Sequence, residues 1–144
     1  MKTVDIWPWF IKSTDGGQDG REYRESIFSQ GNGYMGTRGF RPDERGKHEA
    51  WRSTFISGFY EYIRPGITDL VNQPDFSAVE VRINGRRSDE MLIESFTQTL
   101  SLQDGLLTWD YVTVDDEGNR TRLCIEKFIS MACRHSAGLR MSVT

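Results

Sequence analysis

Alternating hydrophobic and polar residues predict a long β-hairpin in the second half of the chain. The run 106–114 (LLTWDYVTV) alternates over nine residues, a turn-forming cluster (DDEGN) occupies 115–119, and 121–129 (TRLCIEKFI) is a second apolar run. Because successive side chains of a strand point to opposite faces, one set of residues should face the core. That set is Leu107, Trp109, Tyr111 and Thr113 on the first strand, and Leu123 and Ile125 on the return strand.

Further strands are expected on both sides of this hairpin. The run 79–83 (VEVRI) alternates and is followed by Asn84-Gly85, a pair typical of a type I′ turn. A strand with interruptions is predicted over 91–102, and 139–143 has the pattern of the opening of another strand. The aromatic run 54–63 (TFISGFYEYI) predicts a single strand with Gly58 at a bulge or close approach.

Helical signals are short. Residues 22–30 could form about two turns and residues 69–72 one turn, and no segment keeps a 3.6-residue period over a dozen residues. Many short strands divided by Gly, Asn and Asp turns predict an all-β sandwich. The Gly- and Arg-rich stretch 31–51 is expected to be a long, exposed, shaped loop, the kind of segment that carries sites.

Composition narrows the class of protein. Hydrophobic residues make up 37% of the 144 residues, charged residues 27%, and the formal net charge is -3. An acidic chain with no long apolar run is not expected to bind nucleic acid or membranes. The start, MKTVDIWPWF, does not resemble a secretory signal, so a cytoplasmic protein is predicted. Cys124 and Cys133 are expected to be buried, reduced thiols, with a disulfide or a reactive thiol as the alternative.

The string Gly31-Asn32-Gly33-Tyr34-Met35-Gly36 satisfies the G-x-G-x-x-G pattern of dinucleotide sites. Such a site needs a strand before the glycines and a helix after them, to hold the pyrophosphate at the helix N-terminus. The following residues, 37–42 (TRGFRP), cannot begin a stable helix. We therefore expect a glycine-rich turn and no cofactor.

Metal sites are not expected either. Residues 15–20 (DGGQDG) resemble a calcium loop, but its third position is Gly17 and its twelfth is Ser26, so carboxylates are missing. His48 and His135 have no Cys or His partner at metal-ligand spacing, and we expect His48 to be exposed and His135 to end a strand.

Arginine is unusually frequent, with 14 Arg against 4 Lys. The planar guanidinium binds carboxylates and phosphates through paired hydrogen bonds. Ordinary surface ion pairs are the first expectation, and a subset that fixes the loop against a neighbour is the alternative. The arginines in or near the loop are Arg21, Arg24, Arg38, Arg41, Arg45 and Arg52.

Residues 25–39 (ESIFSQGNGYMGTRG) resemble the N-terminal signature of glycoside hydrolase family 65, which includes maltose, trehalose and kojibiose phosphorylases. Three later segments support the resemblance: 55–61, 68–74 and the end of the hairpin at 128–135. Gln30 and Met35 depart from the pattern, because Leu-type residues are more usual there.

The resemblance implies a β-supersandwich, similar in fold to galactose mutarotase. In the family this domain packs against a separate (α/α)₆ barrel that carries the general-acid Glu and the phosphate site. No segment of residues 1–144 resembles that barrel, so we expect these residues to form the first part of the N-terminal sandwich, without the catalytic barrel. A sandwich lacking strands leaves edges open, which predicts a homodimer.

The resulting hypothesis is a non-catalytic N-terminal domain of an enzyme similar to an inverting glycoside phosphorylase or hydrolase, acting on α-linked glucose disaccharides. This chain alone should be inactive. Asn32, Tyr34 and Arg38 are the candidates for a substrate rim or an interface, because their side chains can bind sugar hydroxyls. A role in holding the loop against its own sheet is equally compatible with the sequence.

Two other classes remain open. A stand-alone carbohydrate-binding module would need an exposed aromatic platform, for which Trp7, Trp9 and Trp51 are the candidates. A mutarotase-like enzyme would need a His and a carboxylate converging in a cleft, with only His48 and His135 to supply the imidazole.

Overall fold

The computed structural model describes residues 4–17, 20–44 and 52–144. About half of these residues lie in β-strands, and the rest include one short α-helix and one 3₁₀ turn. The strands are β1 (Val4–Trp7), β2 (Phe10–Ser13), β3 (Gln30–Gly31), β4 (Met35–Thr37), β5 (Thr54–Ile56), β6 (Tyr60–Arg64), β7 (Ile67–Leu70), β8 (Arg82–Ile83), β9 (Arg86–Arg87), β10 (Leu92–Ser101), β11 (Leu106–Val114), β12 (Arg120–Ile129) and β13 (Ala137–Val143). The helix α1 spans Arg21–Ile27 and the 3₁₀ turn spans Ser88–Glu90.

One six-stranded antiparallel sheet forms the framework, in the order β1-β2-β10-β11-β12-β13. Three small sheets surround it: β3-β4-β5, β6-β7 and β8-β9. This arrangement confirms the expected all-β, sandwich-like class. In the described part of the chain no helix has the length and apolar character that crossing a membrane requires.

The central hairpin has the register that the alternation predicts. Trp109 lies opposite Ile125 and Tyr111 opposite Leu123, and all four side chains are buried. Phe28, at the end of α1, packs on this face from the other side and is itself fully buried. The core therefore lies between the six-stranded sheet and the segment that begins with α1.

The remaining predicted strands are found with shifted ends. Asn84 and Gly85 both have positive φ, 51° and 81°, as a type I′ turn requires, although the flanking strands begin only at Arg82 and end at Arg87. The strands expected over 91–102 and from 139 onward are β10 and β13. The helix expected over 22–30 is α1, which ends at Ile27 because Gln30 pairs with Thr37 in β3.

Two local predictions are wrong. The run 54–63 is not one strand, because the chain turns at Gly58 (φ 84°) and places β5 and β6 in different sheets. The N–H of Phe59 donates to the Ile56 carbonyl and closes that turn. The helical turn expected at 69–72 is strand β7 instead, since pairing with β6 satisfies its backbone groups.

The stretch 31–51 is not wholly exposed as expected. Thr37 and residues 39–43 are buried, because this segment crosses the inner face of the large sheet. We call residues 37–43 the strap. Arg45, His48 and Trp51 lie outside the described residues.

The cysteines follow the prediction only in part. Both are free thiols, but Cys133 is exposed and Cys124 is half-buried. Cys133 lies in the connection from β12 to β13 rather than inside a strand, so solvent reaches it.

Candidate functional site

The glycine-rich string forms the tight turn between β3 and β4. The Asn32 side-chain oxygen accepts hydrogen bonds from the backbone N–H groups of Tyr34 and Met35, at 3.0 and 2.9 Å. Gly33 supplies the positive φ of 83° that the turn needs. A strand, not a helix, follows the turn, so the G-x-G-x-x-G string does not build the strand-to-helix geometry of a dinucleotide site.

Asn32 also fastens this turn to the far end of the sheet. Its amide nitrogen donates to the carbonyls of Ser130, at 2.7 Å, and Arg134, at 3.0 Å. Two donated and two accepted bonds fill the hydrogen-bonding capacity of the side chain. The Asn32 side chain therefore has a structural role: it holds the β3–β4 turn in place.

Tyr34 joins a surface cluster that the sequence does not reveal. Its ring meets the His135 ring edge to face, with centroids 4.3 Å apart, and the Arg134 guanidinium lies 5.9 Å from its centroid. His135 is exposed and lies in the β12–β13 connection, whereas the sequence predicts that it ends a strand. We call Tyr34, Arg134 and His135 the aromatic–basic cluster.

Arg38 lies at the other end of β4. Its guanidinium donates to the Ser26 hydroxyl at 2.8 Å, and its backbone N–H donates to the Ser53 carbonyl at 3.2 Å. Arg38 lies four residue steps of extended chain beyond Tyr34, a distance of about 13 Å. The structure thus brings Asn32 and Tyr34 together and places Arg38 apart from them, against α1.

Lys127 is the buried charge that sequence reasoning misses. It is fully buried, and its Nζ donates to the Thr37 hydroxyl at 2.9 Å and to the Arg38 carbonyl at 3.1 Å. The same Nζ lies 5.6 Å from the Trp109 ring centroid. Burial lowers the pKa of Lys127 to about 8. One sequence signal could have revealed it. Lys127 lies two residues after the core residue Ile125, and alternation along a strand places the two side chains on the same face.

Two of the loop arginines, Arg24 and Arg41, are buried, which favours the alternative that a subset fixes the loop. Arg41 pairs with Asp43 at 2.8 Å, and Asp43 also accepts from the Ser88 hydroxyl at 2.6 Å. The Arg41 guanidinium lies 4.9 Å from the Tyr111 ring centroid. Burial, with the nearby Asp43 charge, raises the pKa of Tyr111, so its hydroxyl stays protonated.

A cleft of about 560 Å³ with a mixed polar and apolar lining opens beside the strap. Arg52 and Asp75 pair across part of its lining at 3.0 Å, and the Asn72 side chain donates to the Arg52 carbonyl at 3.0 Å. These groups are already engaged with each other, so they shape the cleft wall. Among the described residues no group of three or more His, Cys, Asp or Glu side chains could hold a metal ion.

Comparison with known proteins identifies the domain. The family model described as glycosyl hydrolase family 65, N-terminal domain, matches residues 13–144. A kojibiose phosphorylase of Halothermothrix orenii is 29% identical over 137 residues, which cover 94% of this chain and 17% of that protein. A kojibiose phosphorylase of Caldanaerobacter subterraneus subsp. tengcongensis is 30% identical over 122 residues, covering 83% of this chain and 16% of that protein.

A solved structure named "Putative kojibiose phosphorylase from human microbiome" has the same fold. It superposes with a TM-score of 0.87 at 21% identity, over 99% of this chain and 20% of that one. This chain thus spans about a fifth or less of the length of the proteins it resembles. Because the family model covers nearly all of its residues, the chain belongs to glycosyl hydrolase family 65, as an N-terminal domain of that family.

Proposed function

We propose that this chain is the first part of the N-terminal β-sandwich of a longer enzyme that acts on α-linked glucose disaccharides. That enzyme is an inverting glycoside phosphorylase, with a hydrolase as the alternative. The supporting observation is the family match over residues 13–144, together with relatives that are about six times longer and are named kojibiose phosphorylases. In this proposal the sandwich supports a separate catalytic barrel. The chain by itself is inactive.

The chemistry assigned to the longer enzyme explains why the sandwich need not contribute a catalytic group. In an inverting phosphorolysis, one carboxylic acid protonates the leaving oxygen while phosphate attacks the opposite face of the sugar. Phosphate is itself the nucleophile, so no second carboxylate is needed as a base. The acidic groups at the strap of this chain are instead engaged in structural pairs, such as Asp43 with Arg41.

The aromatic–basic cluster is the part of this domain that we propose as a substrate rim or an interface to the barrel. Tyr34 and His135 offer ring faces and polar tips, and Asn32 holds Tyr34 in place. Arg38 belongs to the same proposal as an interface residue near α1, where Ser26 orients it. Side chains of these types bind sugar hydroxyls or carboxylates.

The size of the native gene product tests the main proposal. An antibody to this domain should detect a band several times heavier than 16.6 kDa in extracts of the source. That product should release a glucose phosphate from an α-linked glucose disaccharide when phosphate is supplied, and the 144-residue chain should release none. A native band at 16.6 kDa would overturn the proposal.

A matched pair of tyrosine variants tests the rim. Tyr34→Ala in the longer enzyme should raise KM for the disaccharide several-fold. Tyr23→Ala, at an exposed position of α1, should leave KM unchanged. Equal KM values in both variants and the parent enzyme would restrict Tyr34 to a structural role.

We also propose that the domain takes part in a homodimer and works in the cytoplasm. β1 and β13 are the outer strands of the six-stranded sheet, so within residues 4–17, 20–44 and 52–144 each leaves one edge unpaired. Two free thiols are compatible with a reducing compartment. A concentration-independent monomer in sedimentation, with no affinity for hydrophobic dyes, would contradict dimerisation, and cell fractionation tests the location.

A stand-alone carbohydrate-binding module is the second candidate, and the β1–β2 turn favours it. Trp7 and Trp9 are 65% and 59% exposed, as an aromatic platform for sugar rings requires. Calorimetry of the 144-residue chain with glucose disaccharides should then detect binding that Trp7→Ala or Trp9→Ala abolishes. Absence of any heat of binding at millimolar sugar would eliminate this candidate.

A further inference from the structure

The hairpin of β6 and β7 projects from the domain, and we call residues 57–71 the arm. A bridge between Thr54 and Gln73 closes its base, where the Gln73 N–H donates to the Thr54 carbonyl at 2.8 Å. Every residue from 57 to 70 is exposed. The arm is therefore a two-stranded ribbon that solvent reaches on both faces.

The composition of the arm does not suit such exposure. A two-stranded hairpin alone is marginally stable in water, and a contiguous apolar surface usually marks an interface. Yet the arm presents six large apolar or aromatic side chains to solvent, of which Tyr62 is the most exposed at 68%. The six are Phe59, Tyr60, Tyr62, Ile63, Ile67 and Leu70.

The register gives the two faces of the arm different characters. Tyr60 lies opposite Leu70, with Tyr62 on the same side, which makes one face aromatic and apolar. On the other face Glu61 lies opposite Asp69 near the base, while Arg64 lies opposite Ile67 beyond a bulge near the tip. Among the described residues neither carboxylate forms an ion pair. Like charges in directly opposed positions destabilise a strand pair, so this face favours a basic partner.

We propose that the arm inserts into a groove on a later part of the same polypeptide, with one apolar wall and one wall that carries Arg or Lys. The inference rests on the proposed function, which gives the domain a tethered neighbour. The relatives extend over about five further lengths of this chain, so such a neighbour has ample surface. The tether also keeps it at high effective concentration.

Both faces of the arm are exposed to solvent, and this favours a groove as the binding partner of the arm over a second copy of the chain. In a two-fold dimer the same face of each arm meets its counterpart, so one face of the arm stays uncovered. Pairing through the acidic face would bring two Glu61–Asp69 pairs together, which like-charge repulsion opposes. Insertion into a groove covers both faces and places a cation beside Glu61 and Asp69, which no ion pair among the described residues neutralises.

Hydrogen exchange on the full-length native gene product tests the insertion. Backbone amides of 60–70 should exchange at least tenfold more slowly there than in the 144-residue chain. The exposed β10–β11 turn, 102–105, serves as an internal control and should exchange alike in both. An arm that exchanges equally fast in both proteins would overturn the inference while leaving the proposed function intact.

Two variants of the full-length product define the groove. Tyr62→Ser with Ile63→Ser should restore fast exchange in the arm, whereas Leu102→Ser, at a similarly exposed apolar residue, should not. Glu61→Lys should also restore fast exchange, and Glu117→Lys in the β11–β12 turn should not. If neither arm variant changes arm exchange, the groove as described is wrong.

Other outcomes separate the alternatives. Arm protection that appears in the 144-residue chain and grows with its concentration would make a second copy the occupant and overturn the groove. A native product of 16.6 kDa would remove the proposed neighbour, so the proposed function and this inference would fail together.

Discussion

The Nζ atom of Lys127 lies 2.9 Å from the hydroxyl oxygen of Thr37, so a fully buried ammonium of the large sheet holds the strap that crosses it. The partners are 90 residues apart in sequence. On the adjacent strands Lys127 has two apolar neighbours, Leu107 and Leu139. Hydrogen bonds to the Thr37 hydroxyl and the Arg38 carbonyl therefore replace the water that the buried ammonium has lost.

Lys127 should make stability depend on pH. Burial lowers its pKa to about 8 from 10.5, so between these values the unfolded chain binds more protons than the folded one. The free energy of unfolding should therefore rise with pH across this window, by up to ~3 kcal/mol for this group. Urea unfolding of the parent chain and Lys127→Met from pH 7.5 to 10 measures the difference between them.

The comparison with Lys127→Met removes the contribution of other groups. Burial raises the pKa of Tyr111, which lowers stability near and above pH 10 in both proteins alike. Parallel stability curves for the parent and the variant would contradict a lowered pKa for Lys127.

Asn32→Ala should destabilise the domain by about 2 kcal/mol, because it removes the side-chain bonds that join the β3–β4 turn to Ser130 and Arg134. Gln103→Ala, at an exposed turn position, should stay within about 0.5 kcal/mol of the parent. Thermal unfolding with denaturant titration checks both. Equal stabilities would mean that the turn holds without its amide anchor.

Gly39→Ala should cost about 3 kcal/mol or more, since a Cβ there would lie 2.5 Å from the Phe28 Cβ and 2.7 Å from the Phe28 carbonyl oxygen. Gly33→Ala meets no atom within 4 Å but has a φ of +83°, so its cost should be about 1 to 2 kcal/mol. Denaturant midpoints rank the two variants. The reverse order would show that the strap shifts away from Phe28 easily.

Asp43→Ala should destabilise by about 3 to 5 kcal/mol, because it leaves the buried Arg41 guanidinium without its carboxylate. The exposed pair of Glu94 with Arg120, also at 2.8 Å, is the matched contrast. Glu94→Ala should cost much less, because water screens an exposed ion pair. A small effect of Asp43→Ala, similar to that of Glu94→Ala, would mean that water reaches Arg41.

The thiols should react with Ellman's reagent in two phases. Cys133 is exposed and should react first, while Cys124 is half-buried and burial raises the pKa of its thiol, which lowers its thiolate fraction. A rate difference of at least tenfold is expected at pH 8. Cys133→Ser should retain only the slow phase, and retention of the fast phase would reverse the assignment.

Local patterns predicted the parts of this fold that neighbours along the chain determine. Alternation over 106–129 specified both strands of the central hairpin and which side chains face the core. Asn84-Gly85 specified a turn, since both residues tolerate positive φ. The string 25–39 specified the family. Each of these rests on a period or a motif contained in a few adjacent residues.

Contacts between distant segments decided the rest. Sequence reasoning missed Lys127 on the inner face, because the Thr37 hydroxyl that lets a charge remain there comes from the crossing strap. Tyr34 and His135 are about 100 residues apart, and no periodicity links them. The run 54–63 has one pattern of strand propensity, yet the turn at Gly58 sends its second half out into solvent as the arm.

The sequence by itself therefore determined the family, the central hairpin with the strands that flank it, and the buried face of that hairpin. The tertiary structure alone decided which polar side chains are buried together and which apolar side chains stay exposed to solvent. The physical reason is that burial of a charge depends on partners brought from elsewhere in the chain, whereas the alternation of a strand is a property of its own backbone.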